Sequence, residues 1–165
     1  MKFNKTAKVA IVVWIAFLSM LTWFWHSWQQ QQKNPNQVVL VNSDQETVLK
    51  QNRSGHYLAN GFINNQKVVF FVDTGATKIV IPQKTAEKIN LKPGAKSIVH
   101  TANGLASAYH TKLAQVQLGN IIVKDLSGYI QPTMGGEVVL LGMNFLGKLN
   151  FSQSGDELKL KSINY

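Results

Sequence analysis

A chain of 165 residues, 45% hydrophobic and 15% charged, has globular composition and room for one ordinary domain plus an appendage, so a second large domain within it is not expected. The absence of cysteine excludes disulfides, thiolate catalysis and Cys-ligated zinc. A net charge of +9 raises nucleic acid as a partner, but Lys2, Lys5, Lys8 and Lys33 flank one apolar segment and the other basic residues are scattered singly; with no basic helix, RNA-binding aromatic pattern or zinc-finger spacing, the charge reads as solvated surface and no nucleic-acid partner is expected.

Residues 1–8 form a basic N-terminus. Val9 to Trp25, "VAIVVWIAFLSMLTWFW", holds 17 residues without a charge, and a helix of that length covers about 25 Å of a hydrocarbon core roughly 30 Å thick. Extension through Trp28 places tryptophans 23, 25 and 28 at an interface, so residues 9–28 are expected to be a single transmembrane anchor. The lysines before it keep the N-terminus in the cytoplasm and send the rest of the chain across the inner membrane, to the periplasm or outside. A cleaved signal peptide and a buried helix of a soluble domain are the competing readings. No small-x-small site follows Leu21 and the Trp-Phe-Trp end is a poor cleavage site, while the lysine flank argues against burial. Residues 29–50 begin "QQQQKNPNQ", polar and without helical periodicity, and read as a linker, although "VVLV" at Val38–Val41 is strand-like and would shorten it.

From residue 51 to 165 short apolar runs alternate with turn signals, the pattern of a small all-β domain. Tyr57 to Ile63 and Lys67 to Val72 are expected strands joined by an Asn64-Asn65 turn. Ile79 to Ile81 is a further strand ending at Pro82, followed by a short helix with Ala86, Ile89 and Leu91 as its apolar positions. Ser97 to Ala102 and Ala106 to Leu113 flank Asn103-Gly104, a hairpin signal. Val116 to Leu118, Ile121 to Val123 and Tyr129 to Ile130 are short strands. "EVVLLGMNFL" reads as a strand, a glycine and a short helix, and "ELKLKSI" as a final strand.

In "VVFFVDTGATKIVIP" a single carboxylate, Asp73, follows five apolar residues. A lone ionised side chain in such a place costs several kcal/mol unless partners compensate for it. Gly75 and Ala76 let the chain turn sharply after the strand and present Asp73 at a loop tip lined by backbone N–H donors, with the Thr74 hydroxyl available to lock the loop. Asp-x-Gly alone is equally served by a strand-ending Asp that caps a turn.

The larger pattern is more specific: an apolar strand, Asp-Thr-Gly-Ala, a second apolar strand, a hairpin with Asn-Gly, then "VVLLG" leading into a helix. This order, with "RSGHY", "FFVDTGAT", "TANG" and "LLGMNFL", resembles the bacterial membrane-anchored retropepsin-like aspartic proteases over about Arg53 to Leu160. The resemblance implies an all-β retropepsin-like closed barrel, the acid-protease half-lobe, with one or two short helices after a single transmembrane helix. It implies Asp73 as the catalytic aspartate and Thr74, Gly75 and Ala76 as the active-site loop. In it Thr74 bonds across a dimer and the Gly75 carbonyl contacts substrate backbone. Thr101, Ala102, Asn103 and Gly104 match the flap that closes over a bound peptide, and Leu140, Leu141 and Gly142 match the segment beneath the catalytic loop. Viral members carry an Arg after that glycine, paired with an Asp two residues past Asp-Thr-Gly; here Met143 and Thr77 stand at those places, so the ion pair is gone with no orphaned charge.

Peptide hydrolysis by this chemistry needs two carboxylates sharing one proton about a water, one as general base and one as general acid. No other acid downstream sits in an Asp-Thr-Gly or Asp-Ser-Gly context, Asp125 in "KDLSG" being spoiled by Leu126, so the expected enzyme is a homodimer acting on polypeptides without a cofactor or metal. Its rate is expected to be best at acidic to mildly acidic pH. The alternative is a non-catalytic peptide-binding or structural module on the same fold. His26, His56, His100 and His110 show no ligand spacing, although His100 and His110 are read as a cross-strand surface pair. Ser54, Ser97 and Ser107 lack a nucleophile-elbow context, and Gly135-Gly136 is too short for a phosphate loop.

Overall fold

The structure is a computed structural model that describes residues 5–101 and 104–163. The chain divides into two compact units, Met1–Lys33 and Asn34–Tyr165.

The first unit is helix α1, Lys5–Lys33, 29 residues without a glycine or proline. Val12, Trp14, Ile15 and Trp23 are each more than half exposed. A helix that is apolar on every side has no aqueous face. Its Ile11–Lys33 stretch, 23 residues of mean hydropathy 1.4, is long and apolar enough to cross a membrane by length and composition. The glutamines assigned to a linker continue this helix, since Gln is a good helix former and a formed helix gains one hydrogen bond for each residue added. It stops where Pro35 disfavours helical backbone at Asn34.

The second unit begins earlier than the expected boundary at residue 51. Within the segment read as a linker lie β1, Leu40–Val41, and β2, Thr47–Lys50, with Leu49 and Thr47 fully buried. Asn36 explains why polar composition misleads here. Its amide donates to the carbonyls of Lys50 (2.8 Å) and Leu58 (2.7 Å) and accepts from the Lys50 N–H (2.7 Å), joining β2 to the next strand as a backbone group would. It is buried at 4% exposure with those three bonds made. Replacing Asn36 by Leu strands all three backbone groups, and the unfolding free energy is expected to fall by about 2 to 3 kcal/mol in denaturant titration, against a change below about 0.5 kcal/mol for an exposed control such as Gln153→Ala.

The strands β3 (Leu58–Ile63), β4 (Gln66–Val72), β5 (Ile79–Pro82), β6 (Lys96–Thr101), β7 (Gly104–Leu118), β8 (Ile121–Gln131) and β9 (Val139–Leu141) form one sheet in the order β3-β4-β9-β5-β8-β7-β6. Pairing of Phe62 with Gln117 and of Ile63 with Val116 joins β3 to β7 and closes the first six of these into a barrel, leaving β6 to project with the end of β7. Phe70, Ile79, Ile81, Leu113, Leu118, Ile130 and Leu141 fill the interior and are essentially unexposed. Two short helices, α2 (Gln83–Lys88) and α3 (Met143–Leu146), pack on it. A second sheet, β1-β2-β11-β10, gathers β2 with β10 (Leu149–Ser154) and β11 (Glu157–Ser162). The all-β barrel with short helices therefore holds.

Three local readings are corrected. The runs read as separate strands are the two halves of continuous β7 and β8: the buried positions shift phase from Thr111 and Leu113 to Val116 and Leu118, and opposite them Asp125 takes a positive φ of 54°, so alternation breaks although pairing does not. The flap hairpin pairs Thr101 with Gly104, one step away from a turn centred on Asn103-Gly104. That register sets His100 opposite Leu105, while the His110 ring lies tilted against that of Tyr129 with centroids 4.8 Å apart, so the two histidines are not a pair. By contrast Asn64 and Asn65 have φ of 48° and 64°, as the left-handed turn between β3 and β4 requires.

Candidate active site

Strand β4 buries Val68 and Phe70 in the barrel and delivers Asp73 to its end, half-buried. The Gly75 N–H donates to Asp73 Oδ1 at 2.9 Å and the Ala76 N–H to the Asp73 carbonyl at 3.3 Å, which bends the loop around the carboxylate. Strand β9, wedged between β4 and β5, passes beneath. The Asp73 N–H donates to the Leu141 carbonyl at 3.2 Å, the Met143 N–H to Ala76 at 2.8 Å and the Asn144 N–H to Thr77 at 3.1 Å. Three backbone bonds thus tie the loop to the β9–α3 segment.

Gly142 is demanded by this closeness. A Cβ there would lie 2.5 Å from the Lys78 carbonyl oxygen and 2.6 Å from that of Ala76. Asn144, which the sequence motif did not single out, braces this end of the barrel through its side-chain amide. Its Oδ1 accepts from the Ile79 N–H at 3.1 Å and its Nδ2 donates to the Ser127 carbonyl at 2.7 Å, linking α3 to β5 and β8. The only sequence signal for it is an amide side chain directly after Gly-Met at a helix start.

The loop opens onto a groove of about 1250 Å³ lined by Asp73, Gly75, Ala76 and the following residues on one side and by the β6–β7 hairpin on the other, including Ile98, Thr101 and Leu105. That volume admits an extended peptide segment. Of the expected flap residues, Thr101 lines the groove and its hydroxyl donates to the Gly104 carbonyl at 2.8 Å; Gly104 begins β7 with φ of 99° outside the lining, and Ala102 and Asn103 lie outside the described residues. Asp73 is the one carboxylate among the described lining residues. Thr74 points elsewhere. It is exposed, its hydroxyl makes no hydrogen bond among the described residues, and it lines a separate cavity of about 280 Å³ with Tyr57 and Phe151. The Tyr57 hydroxyl is buried there without a partner among the described residues.

Beyond the groove, Glu137 before β9 meets Lys84 Nζ at 2.6 Å and Lys88 Nζ at 3.4 Å, and Thr85 donates to its carbonyl, so α2 pins the loop that closes one end. Lys84 first, then Lys88, holds the Glu137 carboxyl below its ordinary range. No group of three or more His, Asp or Glu side chains is placed to hold a metal among the described residues.

The model of a family described as "gag-polyprotein putative aspartyl protease" matches residues 59–148. The chain is 33% identical over 121 residues to an uncharacterized protein in the cobV 5′ region of Sinorhizobium sp, covering 71% of this chain and 52% of that one. It is 27% identical over 106 residues to an uncharacterized protein of Rickettsia prowazekii (strain Madrid E), covering 61% of this chain and 44% of that one. The chain spans about half the length of these curated relatives. Among solved structures, a retropepsin-like aspartic protease from Rickettsia conorii superposes with a TM-score of 0.59 at 28% identity, covering 71% of this chain and 90% of that one. With a family match across the barrel, from β3 through α3, and that structural likeness, the chain belongs to the retropepsin-like aspartic protease family.

Proposed function

We propose that the chain is a membrane-anchored aspartic endopeptidase, active as a homodimer in which each copy contributes Asp73 to a proton-sharing carboxylate pair. In this reading α1 holds each copy in the inner membrane with its N-terminus in the cytoplasm, and the folded unit acts outside on polypeptides. The pair activates a water on one carboxylate while the other donates its proton to the scissile carbonyl oxygen.

The observation that carries the reading is the groove with one carboxylate at the end of a braced loop. One such group is half of the machinery, and a second copy related by a two-fold axis supplies the other half. Thr74 is compatible with the same arrangement, because it is exposed on the loop and its hydroxyl makes no hydrogen bond among the described residues. Confinement of both copies to one membrane raises their effective concentration and favours pairing.

The test uses the full chain in detergent micelles, a mixed peptide library at mildly acidic pH, and mass spectrometry of the products. Cleavage that a statine-type peptide blocks is expected, with specific activity falling on dilution as dimers separate. Activity per chain that does not change on dilution to a size-verified monomer, or a stable dimer that binds peptides and leaves them intact, overturns the reading.

A further inference from the structure

The groove carries a charge that the hydrolytic chemistry does not use. Lys78 lies between the Asp73 loop and β5, half-buried, and lines the same groove as Asp73. Its ammonium sits 5.2 Å from the centroid of the Tyr129 ring, which also lines the groove and itself contacts the tilted ring of His110. No carboxylate lies within 4 Å of this ammonium among the described residues, and Glu137, before β9, is occupied by Lys84 and Lys88. Lysine is the one residue of permanent positive charge in the described lining.

The root of the side chain is held firmly. The Lys78 carbonyl packs against Gly142, the next N–H, from Ile79, is bonded by Asn144, and Val80 pairs with Tyr129 across β5 and β8. An ammonium is a strongly hydrated point charge with donors only. Resting on an aromatic face, it has exchanged part of its water for a weaker partner and still has donors to spend. What completes it is an anionic acceptor brought in by the ligand, and for a polypeptide, the ligand proposed above, that acceptor is a carboxylate side chain.

We propose that Lys78, seated on Tyr129, is a specificity-determining residue that receives a glutamate or aspartate side chain of the bound polypeptide. The inference rests on the dimeric endopeptidase reading for its full form: a two-fold dimer has two Lys78 side chains, one on each side of the scissile bond, so acidic residues are favoured at symmetric places on both sides. Asp73 supplies the reaction, and Lys78 selects which chain lies across it.

The experiment has two arms. In the first, the full chain in detergent cleaves peptides identical except for Glu, Gln or Lys at each scanned position. In the second, the Asp73→Asn chain binds fluorescein-labelled versions of the same peptides, read by anisotropy and requiring no turnover. At one position on each side, Glu is expected to exceed Gln about tenfold in kcat/KM and in affinity, a difference of about 1.4 kcal/mol, with Lys weaker still. Glu at both positions multiplies the preference to about a hundredfold, and added salt shrinks it. Lys78→Met brings the Glu-to-Gln ratio to about one, and Lys78→Glu reverses it in favour of Lys. Because each ratio is internal to one preparation, partial misfolding of a variant cancels. An unchanged ratio in Lys78→Met, equal affinity for Glu and Gln peptides, or binding of neither overturns the proposal. Absence of hydrolysis with the Glu preference intact in binding counts against the peptidase reading alone, whereas hydrolysis without the preference counts against Lys78 alone.

Discussion

Asp73→Asn is expected to lower peptide hydrolysis by at least about a thousandfold while leaving the melting midpoint of the full chain unchanged. The size follows from what is removed: a positioned acid–base group contributes typically 10²- to 10⁴-fold, and in a homodimer the substitution removes both members of the pair at once. The stability half of the prediction comes from the local geometry. Asp73 Oδ1 accepts the Gly75 N–H at 2.9 Å, and the amide oxygen of asparagine accepts the same bond, so the loop keeps its shape. The backbone bonds to Leu141 and Ala76 do not involve the side chain at all. Residual hydrolysis above about a tenth of the parent rate in size-verified dimer would remove Asp73 from the chemistry.

A tandem of two folded units, one with Asp73 intact and the other bearing the Asp73→Asn substitution, extends the argument from chemistry to assembly. If each unit worked alone, the tandem would keep half the activity. If the two acids form one proton-sharing pair, a single substitution breaks it, and the tandem falls nearly as far as the doubly substituted one. Groups that act as a unit are strongly non-additive in this sense.

The elements that could be read from the chain are those where local chemistry and the tertiary environment agree. The turn at Asn64-Asn65, the strand into Asp73 and the Leu-Leu-Gly segment each declare themselves by residue type, because left-handed turns, barrel interiors and close backbone approach admit few side chains. The elements that could not be read are those where long-range bonds decide. Asn36 is polar and looks solvated, yet its amide is satisfied by partners 14 and 22 residues away. Strand β10 exposes all but its first residue, so its sequence carries little alternation and only pairing with β11 makes it a strand. The phase shift at Ala114 and Asp125 hides two long strands behind four short ones. At the site the same division holds. Asp73 is legible from its loop, whereas Asn144 and Lys78 acquire their meaning only when β5, β8 and α3 are brought together.

Gly142→Ala is expected to cost both stability and activity, which separates it from Asp73→Asn. The added methyl would lie 2.5 Å from the Lys78 oxygen, 2.6 Å from the Ala76 oxygen and 2.7 Å from the Lys78 carbonyl carbon. All three are backbone atoms, so no side chain can rotate away and the loop itself must move. Overpacking of this kind costs typically 1 to 3 kcal/mol, and a displacement approaching 1 Å at a catalytic group costs about a hundredfold in rate. The substitution should therefore lower the unfolding free energy by about 2 to 3 kcal/mol and kcat/KM by about a hundredfold. Gly135→Ala is the matched control for stability, since a Cβ there meets nothing within 4 Å, and it should change the unfolding free energy by less than about 0.5 kcal/mol. Restoring space at the crowded point cannot rescue Gly142→Ala, because Ala76 and Lys78 contribute main-chain carbonyls whatever their side chains. A variant that kept parental stability and rate would mean that the loop over β9 yields at no cost, and that its three backbone ties do not set the position of Asp73.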